Sequence, residues 1–202
     1  MAGKAFLWVG LEGLRLGKTT YLTGVNFCSN CGSPKLLLQI PPGDNRRRQV
    51  CGNCGVIHYV NPKIVAGCLP VWEDKVLLCR RSIEPCYGLW NVPSGYLENG
   101  EGVEDGAKRE VWEEAAARVE LQYLISLYNL EKINQIYLQF IGALVDGKYA
   151  VGEESLEVKL FTEAEIPWDE MAFTSSTFTL NRYFQDRSEN QQRLHRASYP
   201  AT

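Results

Sequence analysis

Two groups of residues in this chain have the types and spacing to do chemistry. The first is four cysteines in two pairs, Cys28-Ser-Asn-Cys31-Gly and Cys51-Gly-Asn-Cys54-Gly, with nineteen residues between the pairs. A two-residue spacer lets both thiolates of a pair face one ion. Glycine after the second cysteine permits the tight turn that aims backbone N–H groups at sulfur. Two such knuckles supply four thiolates, the donor set of a closed, structural zinc site with no open catalytic position. Paired disulfides or core thiols are the alternative, and the repeated spacing favours zinc. The second group is Glu110, Glu113 and Glu114, crowded into Arg109-Glu-Val-Trp-Glu-Glu114. Like charges three and four residues apart on a helix repel by roughly 0.2–0.5 kcal/mol per pair. The crowding is either an ordinary solvated acidic face or serves something that offsets the repulsion.

The elements around these groups follow from periodicity and turn chemistry. A helix is expected over about 103–116, where Glu110, Glu113 and Glu114 span an arc of roughly 100° and Ala107, Val111 and Ala115 form an adjacent apolar strip. The apolar, β-prone runs 64–69 and 75–79, separated by the polar turn Glu73-Asp74, read as a hairpin. A loop rich in Gly, Pro and Asn covers about 87–102. Further strands are expected at 119–128, 135–144 and near 156–161. A second helix is expected over 176–186, after the capping candidates in Thr174-Ser-Ser-Thr177. The tail from about 185 onward is polar and reads as fraying. Cys68 and Cys79 lie in apolar strand runs and read as core, and Cys86 also lacks ligand spacing. Arg46, Arg47 and Arg48 read as a solvated loop tip. Together this is an α+β chain: a leader over 1–24, a zinc ribbon over 25–60, a main domain over 61–186 with a mixed sheet and helices packed on it, and a polar tail over 187–202.

Composition narrows the class. The 202 residues carry a formal net charge of −3, with 45% hydrophobic and 22% charged residues, as in globular chains. That balance argues against a bulk electrostatic nucleic-acid binder. No apolar run approaches the ~18 residues of a membrane-spanning helix. Seven cysteines, four of them in metal spacing, point to a reducing, cytoplasmic setting. The 13–20 stretch, Gly-Leu-Arg-Leu-Gly-Lys-Thr-Thr, looks superficially like a phosphate-binding P-loop. It has three residues between its glycines where that motif needs four, and no convincing strand precedes it. A mobile leader is the expected reading, with organised sequence beginning near Val25.

Gly95, Glu101, Arg109, Glu110, Glu113 and Glu114 follow the spacing G-x5-E-x7-R-E-U-x-E-E, where U is aliphatic. This resembles the signature of the Nudix hydrolases, and the resemblance extends over about residues 60–175. It implies an α/β/α sandwich with a mixed sheet and an acidic cluster that binds Mg2+ or Mn2+ to hydrolyse a pyrophosphate bond. It implies Glu110 and Glu114 as main metal ligands, with Glu113 sharing the cluster and Gly95 offering its carbonyl. Arg109 would pair with Glu101, a bidentate task suited to guanidinium. A hard divalent cation takes oxygen ligands and turns the carboxylate repulsion into attraction. The general base varies across the family, and Glu154 or Glu157 on the later Gly-Glu-Glu-Ser-Leu-Glu157 stretch is the candidate. Two positions depart from the family pattern. Ala116 stands where Gly is usual and would cost about 1 kcal/mol in a left-handed cap, and Ser94 stands where Gly is common.

A zinc ribbon joined to this domain resembles the NADH pyrophosphatases, but their downstream Ser-Gln-Pro-Trp-like run is missing. The arrangement around 59–63 and 89–97 is similar to Nudix proteins that act on FAD and ADP-ribose. The expected substrate is therefore a small X-P-P-adenosine molecule, with nucleic acid and membrane not expected as partners. Tyr96, Tyr128 and Tyr137 could stack on adenine or flavin, or belong to the core. An RNA-binding or cap-removing protein and a non-catalytic nucleotide sensor are the competing readings. The resemblance also implies a homodimer.

Overall fold

The computed structural model describes residues 24–199. Residues 1–23, with the expected leader and the 13–20 stretch, lie outside the described residues, as do 200–202. The chain divides into two compact units, one ending at Val60 and one beginning at Asn61.

The first unit is a three-stranded antiparallel sheet of β1 (Leu36–Gln39), β2 (Arg48–Cys51) and β3 (Ile57–His58), in the order β1-β2-β3. The two cysteine knuckles are near copies of each other. Gly32 N–H donates to Cys28 O at 2.8 Å and Gly55 N–H to Cys51 O at 2.9 Å, with φ of +69° and +75°. Only glycine adopts that conformation without cost, which is why each pair is followed by one. Arg48 turns back onto Asp44 at 3.0 Å, so one of the three consecutive arginines is partnered locally.

The second unit is built on one mixed sheet. Its strands are β4 (Lys63–Trp72), β5 (Lys75–Arg81), β6 (Trp90–Asn91), β7 (Ser94–Tyr96), β8 (Val119–Leu130), β9 (Gln135–Leu144), β10 (Ser155–Phe161) and β11 (His195–Tyr199). The path runs β10-β5-β4-β9-β8-β11, with β6 paired to β5 and β7 to β4. The β4–β9 and β8–β11 pairs are parallel and the rest antiparallel. Two helices cover opposite faces, because alternate residues of each strand point to opposite sides. Helix α1 (Val103–Ala115) places Ala107, Val111 and Ala115 against Ala66, Cys68, Leu77, Cys79 and Phe140. Helix α2 (Thr174–Ser188) places Leu180, Tyr183 and Phe184 against Leu69, Val76, Leu78, Ile125 and Ile141. The result is an α/β/α sandwich, and Cys68 and Cys79 are core residues within it.

Two expectations are corrected, and one left open is decided. As far as Tyr199 the polar tail is held in the sheet: β11 pairs in parallel with β8, from His195 opposite Ser126 to Tyr199 opposite Leu130. Its polar residues have a buried partner, since Asp186 is 1% exposed and accepts from Arg193 Nε at 2.8 Å, with His195 Nε2 2.9 Å away. Helix α2 begins at Thr174, and no side chain of the Thr-Ser-Ser-Thr run caps it. Ser175 and Ser176 face inward instead, and Ser176 Oγ accepts from Val92 N at 3.2 Å. Tyr128 and Tyr137 are core with Val65, leaving Tyr96 as the one exposed ring of the three stacking candidates.

Candidate functional site

The two knuckles bring four cysteine sulfurs together. The Sγ atoms of Cys28, Cys31, Cys51 and Cys54 all lie within 4.8 Å of one another, and the Cys28–Cys54 and Cys31–Cys51 pairs are each 3.6 Å apart. A tetrahedron of sulfurs about 2.3 Å from a central zinc has edges of about 3.8 Å, so the spacing fits an S4 site. None of the seven cysteines is in a disulfide. Backbone N–H groups of Cys54 and Asn53 pull the Cys51 thiol down to about 6, and the N–H of Val56 lowers Cys54. Burial pushes Cys28 up to about 11. Partly ionised thiols this close together are the chemistry a soft cation completes.

The acidic group sits where the C-terminal half of α1 passes β6 and β7. Glu114 is 5% exposed. Its Oε1 accepts from Ser94 N at 2.9 Å and its Oε2 from Asn91 Nδ2 at 3.3 Å. Ser94, in place of the usual glycine, therefore keeps the backbone donor, while its hydroxyl turns back to Val92 O at 3.0 Å. Glu110 is 7% exposed and lies against Gly95, where a Cβ would collide with both of its carboxylate oxygens. The glycine is thus required by the close approach of the helix carboxylate to β7. Ala116 ends α1 in the left-handed conformation, φ 45° and ψ 32°, so the strained cap expected at that position is present. The loop after β9 closes over this end: Ala150 N donates to Ala115 O at 2.8 Å and Gly152 N to Glu114 O at 3.1 Å.

Arg109 ties the loop to the helix. Its Nε and Nη2 grip Glu101 at 3.1 and 2.7 Å, its Nη1 reaches Glu110 at 2.6 Å and Glu113 at 3.0 Å, and Nη2 also donates to Tyr96 O. The guanidinium holds the Glu101 carboxyl down at about 2. Of the downstream candidates, Glu154 adds its charge to Glu110, whereas Glu157 lies on β10, 3.6 Å from Arg80. Among the described residues, the cysteines alone bring three or more ligand atoms within 4.8 Å of one another. Arg109 supplies positive charge beside Glu110 and Glu113.

The donor set nevertheless fits a hard divalent cation. Two carboxylates are buried, Glu110 against a residue that lacks a Cβ and Glu114 against Ser94 N, and burial raises both: Glu110 upward, with Glu113 and Glu154 adding to it, and Glu114 up to about 8. A cation would reverse that penalty. The sign gives a prediction for the metal-free protein. The folded chain keeps a proton on Glu114 that the unfolded chain releases above its ordinary value of 4.5. Metal-free stability should therefore fall as pH rises from about 4.5 to about 8, by at most a few kcal/mol. Thermal midpoints across pH 5–8 check this, and Glu114→Gln should flatten the slope.

Three neighbours of Glu114 escaped the sequence reading. Asn91 reaches its carboxylate by a hydrogen bond at 3.3 Å, and the carboxylate's charge acts on the buried Cys79 thiol. Arg81, its guanidinium 4.9 Å from the Phe173 ring centre, acts on it by charge. The available signal for Asn91 was a lone amide inside the apolar run Trp90-Asn-Val92. Arg81 and Cys79 gave none beyond their strand.

The sandwich with its acidic helix defines a Nudix-type hydrolase fold, and the comparison with family models agrees: the chain belongs to the Nudix family. The model described as NUDIX domain matches residues 61–180, and the one described as Nudix N-terminal matches residues 26–60. A crystal structure of a NUDIX hydrolase from Nitrosomonas europaea is similar, at 46% identity and TM-score 0.83, over 87% of this chain and 99% of that one. An ADP-ribose pyrophosphatase of Methanocaldococcus jannaschii is 26% identical over 113 residues, 54% of this chain and 67% of that protein. An NAD-capped RNA hydrolase, NudC, of Stutzerimonas stutzeri is 29% identical over 140 residues, 68% of this chain. The match covers about half of that relative's length, 48%. No helix among the described residues is long and apolar enough to cross a membrane.

Proposed function

We propose that this chain is a divalent-metal-dependent pyrophosphohydrolase that cleaves the anhydride of a nucleoside diphosphate linked to a second moiety, an FAD- or ADP-ribose-like molecule. The observation that carries the reading is the pair Glu110 and Glu114, sunk at the margin of α1 against Gly95 and the N–H of Ser94. Glu110, Glu114 and the Gly95 carbonyl would hold Mg2+ or Mn2+, with Glu113 supporting. Bound there, the cation neutralises phosphate charge and lowers the pKa of a coordinated water. Arg109 keeps the Glu101 loop fixed against the helix, so the ligands do not drift. Glu154, whose charge reaches Glu110, is the candidate to take the proton as a water oxygen bonds to phosphorus and the P–O bond to the departing phosphate breaks. The zinc ribbon is structural in this reading. Free cysteines throughout support a reducing, cytoplasmic setting, and the family resemblance supports a homodimer.

A second reading is removal of a nucleotide cap from RNA, favoured by the similarity to the hydrolases of NAD-capped RNA. The bond broken is the same, and the leaving group differs. Incubation with Mg2+ and a panel of FAD, NADH, ADP-ribose, nucleoside triphosphates and 5′-capped RNA separates them. Nucleoside monophosphate released from the small dinucleotides supports the first reading. Turnover confined to capped RNA supports the second, and binding without turnover of any panel member contradicts both.

A further inference from the structure

We propose that Asn91 is a positioning residue whose carboxamide sets the orientation of the Glu114 carboxylate toward a bound cation. This rests on the metal-site reading above and assigns a role to a residue outside the signature. Asn91 is fully buried on β6, opposite Cys79 of β5. Its Nδ2 donates to Val92 O at 3.0 Å and to Glu114 Oε2 at 3.3 Å, while its Oδ1 has no hydrogen-bond partner.

Packing does not explain an amide here. Its partner across the ladder, Cys79, belongs to the apolar core under α1. A buried oxygen without a partner is unfavourable, and an apolar side chain would avoid it. Nor does the backbone depend on the side chain, since Val92 O also accepts from Ser94 Oγ at 3.0 Å. Ala172 N donates to Trp90 O at 2.8 Å, and Val92 N donates to Ser176 Oγ at 3.2 Å, so the segment is anchored on both sides of Asn91. What the side chain uniquely supplies is the donor to Glu114. The other oxygen of that carboxylate takes a backbone N–H, which any residue at position 94 except proline would provide. With both oxygens held, the carboxylate has one orientation. With Oε2 released, it is free to turn. Partners that orient metal ligands in this way typically contribute about 10- to 100-fold in metal affinity or activity.

The test uses the full, zinc-loaded chain and Mn2+ as the probe, with binding followed by paramagnetic resonance and calorimetry. Asn91→Leu removes the donor and keeps the branched heavy-atom skeleton, with bulkier ends. Asn91→Ala removes both, and Ser176→Ala loosens the same segment without touching Glu114. Both Asn91 variants are expected to bind Mn2+ about 10- to 100-fold more weakly than wild type. The loss of Mn2+ affinity should be alike in the overpacked and the truncated Asn91 variant, whatever their metal-free thermal midpoints, and KM for the nucleotide at saturating Mn2+ should be unchanged. Ser176→Ala should keep wild-type Mn2+ affinity. Wild-type affinity in the Asn91 variants overturns the positioning role and leaves the metal site standing. A parallel loss of affinity and midpoint in all three variants also overturns it, as ordinary structural damage. Wild-type Mn2+ affinity in Glu114→Gln overturns the metal-site reading itself, and the role of Asn91 with it.

Discussion

Replacing Glu114 with Gln is expected to lower turnover by about 10²- to 10⁴-fold while the protein stays folded. The charge stabilisation a bound cation gives a phosphate transition state is worth several kcal/mol, and each ~1.4 kcal/mol is tenfold in rate. Gln removes the ligand charge and almost no volume, and its amide oxygen can still accept from Ser94 N. Burial works against the native carboxylate, raising it to about 8 in the metal-free protein, so the variant should melt at the same temperature or higher. Single-substrate kinetics at saturating Mg2+, together with a thermal melt, check both halves. Unchanged turnover would mean that the chemistry lies elsewhere in the chain.

The second large effect concerns the ribbon. Within residues 24–60 the buried apolar side chains are Pro41, Val50 and the two knuckle cysteines Cys28 and Cys51, too little to hold a unit of this size together. Zinc binding must therefore supply most of its folding free energy, on the order of 10 kcal/mol for sites of this type. Chelation, or Cys51→Ser, should raise hydrogen exchange across 24–60 toward that of an unfolded chain. The unit from Asn61 onward carries its own two-sided core and should keep its protection and most of its turnover. Exchange mapped by mass spectrometry with and without chelator, alongside a metal assay expected to find one zinc per chain, measures this directly.

What was readable from the chain alone is what local spacing encodes. The cysteine knuckles are two short motifs whose geometry is complete within five residues, and 19 intervening residues suffice to bring them together. Helix α1 announced itself by an apolar strip at Ala107, Val111 and Ala115 beside three acids. The core strands announced themselves by apolar runs. The features that escaped depend on contacts between distant parts of the chain. Strand β11 is polar and pairs with β8 some seventy residues earlier, as His195 opposite Ser126 shows, and parallel pairing at that distance leaves no local trace. Ser175 and Ser176 have the chemistry of caps, and their burial is decided by where β6 lies. Tyr128 and Tyr137 look alike in sequence to Tyr96, and the sheet register alone sends two inward and one outward. The same holds at the site. The signature residues were legible, whereas Asn91, Cys79 and Arg81 matter only because two strands carry them to the carboxylate.

The Arg109 guanidinium, within 2.6 Å of Glu110 and 3.0 Å of Glu113, sharpens the question of what this margin holds. If the carboxylates are cation ligands, a divalent ion should compete for them and draw Glu110 away from Arg109 while the Arg109–Glu101 pair stays intact. Crystals grown with Mn2+ and a non-hydrolysable ADP-ribose analogue, measured at the manganese absorption edge, decide the matter. The account predicts an anomalous peak coordinated by Glu110 and Glu114 beside the analogue's phosphates. A bound analogue with no metal at this margin, and with Glu110 still on Arg109, would contradict it.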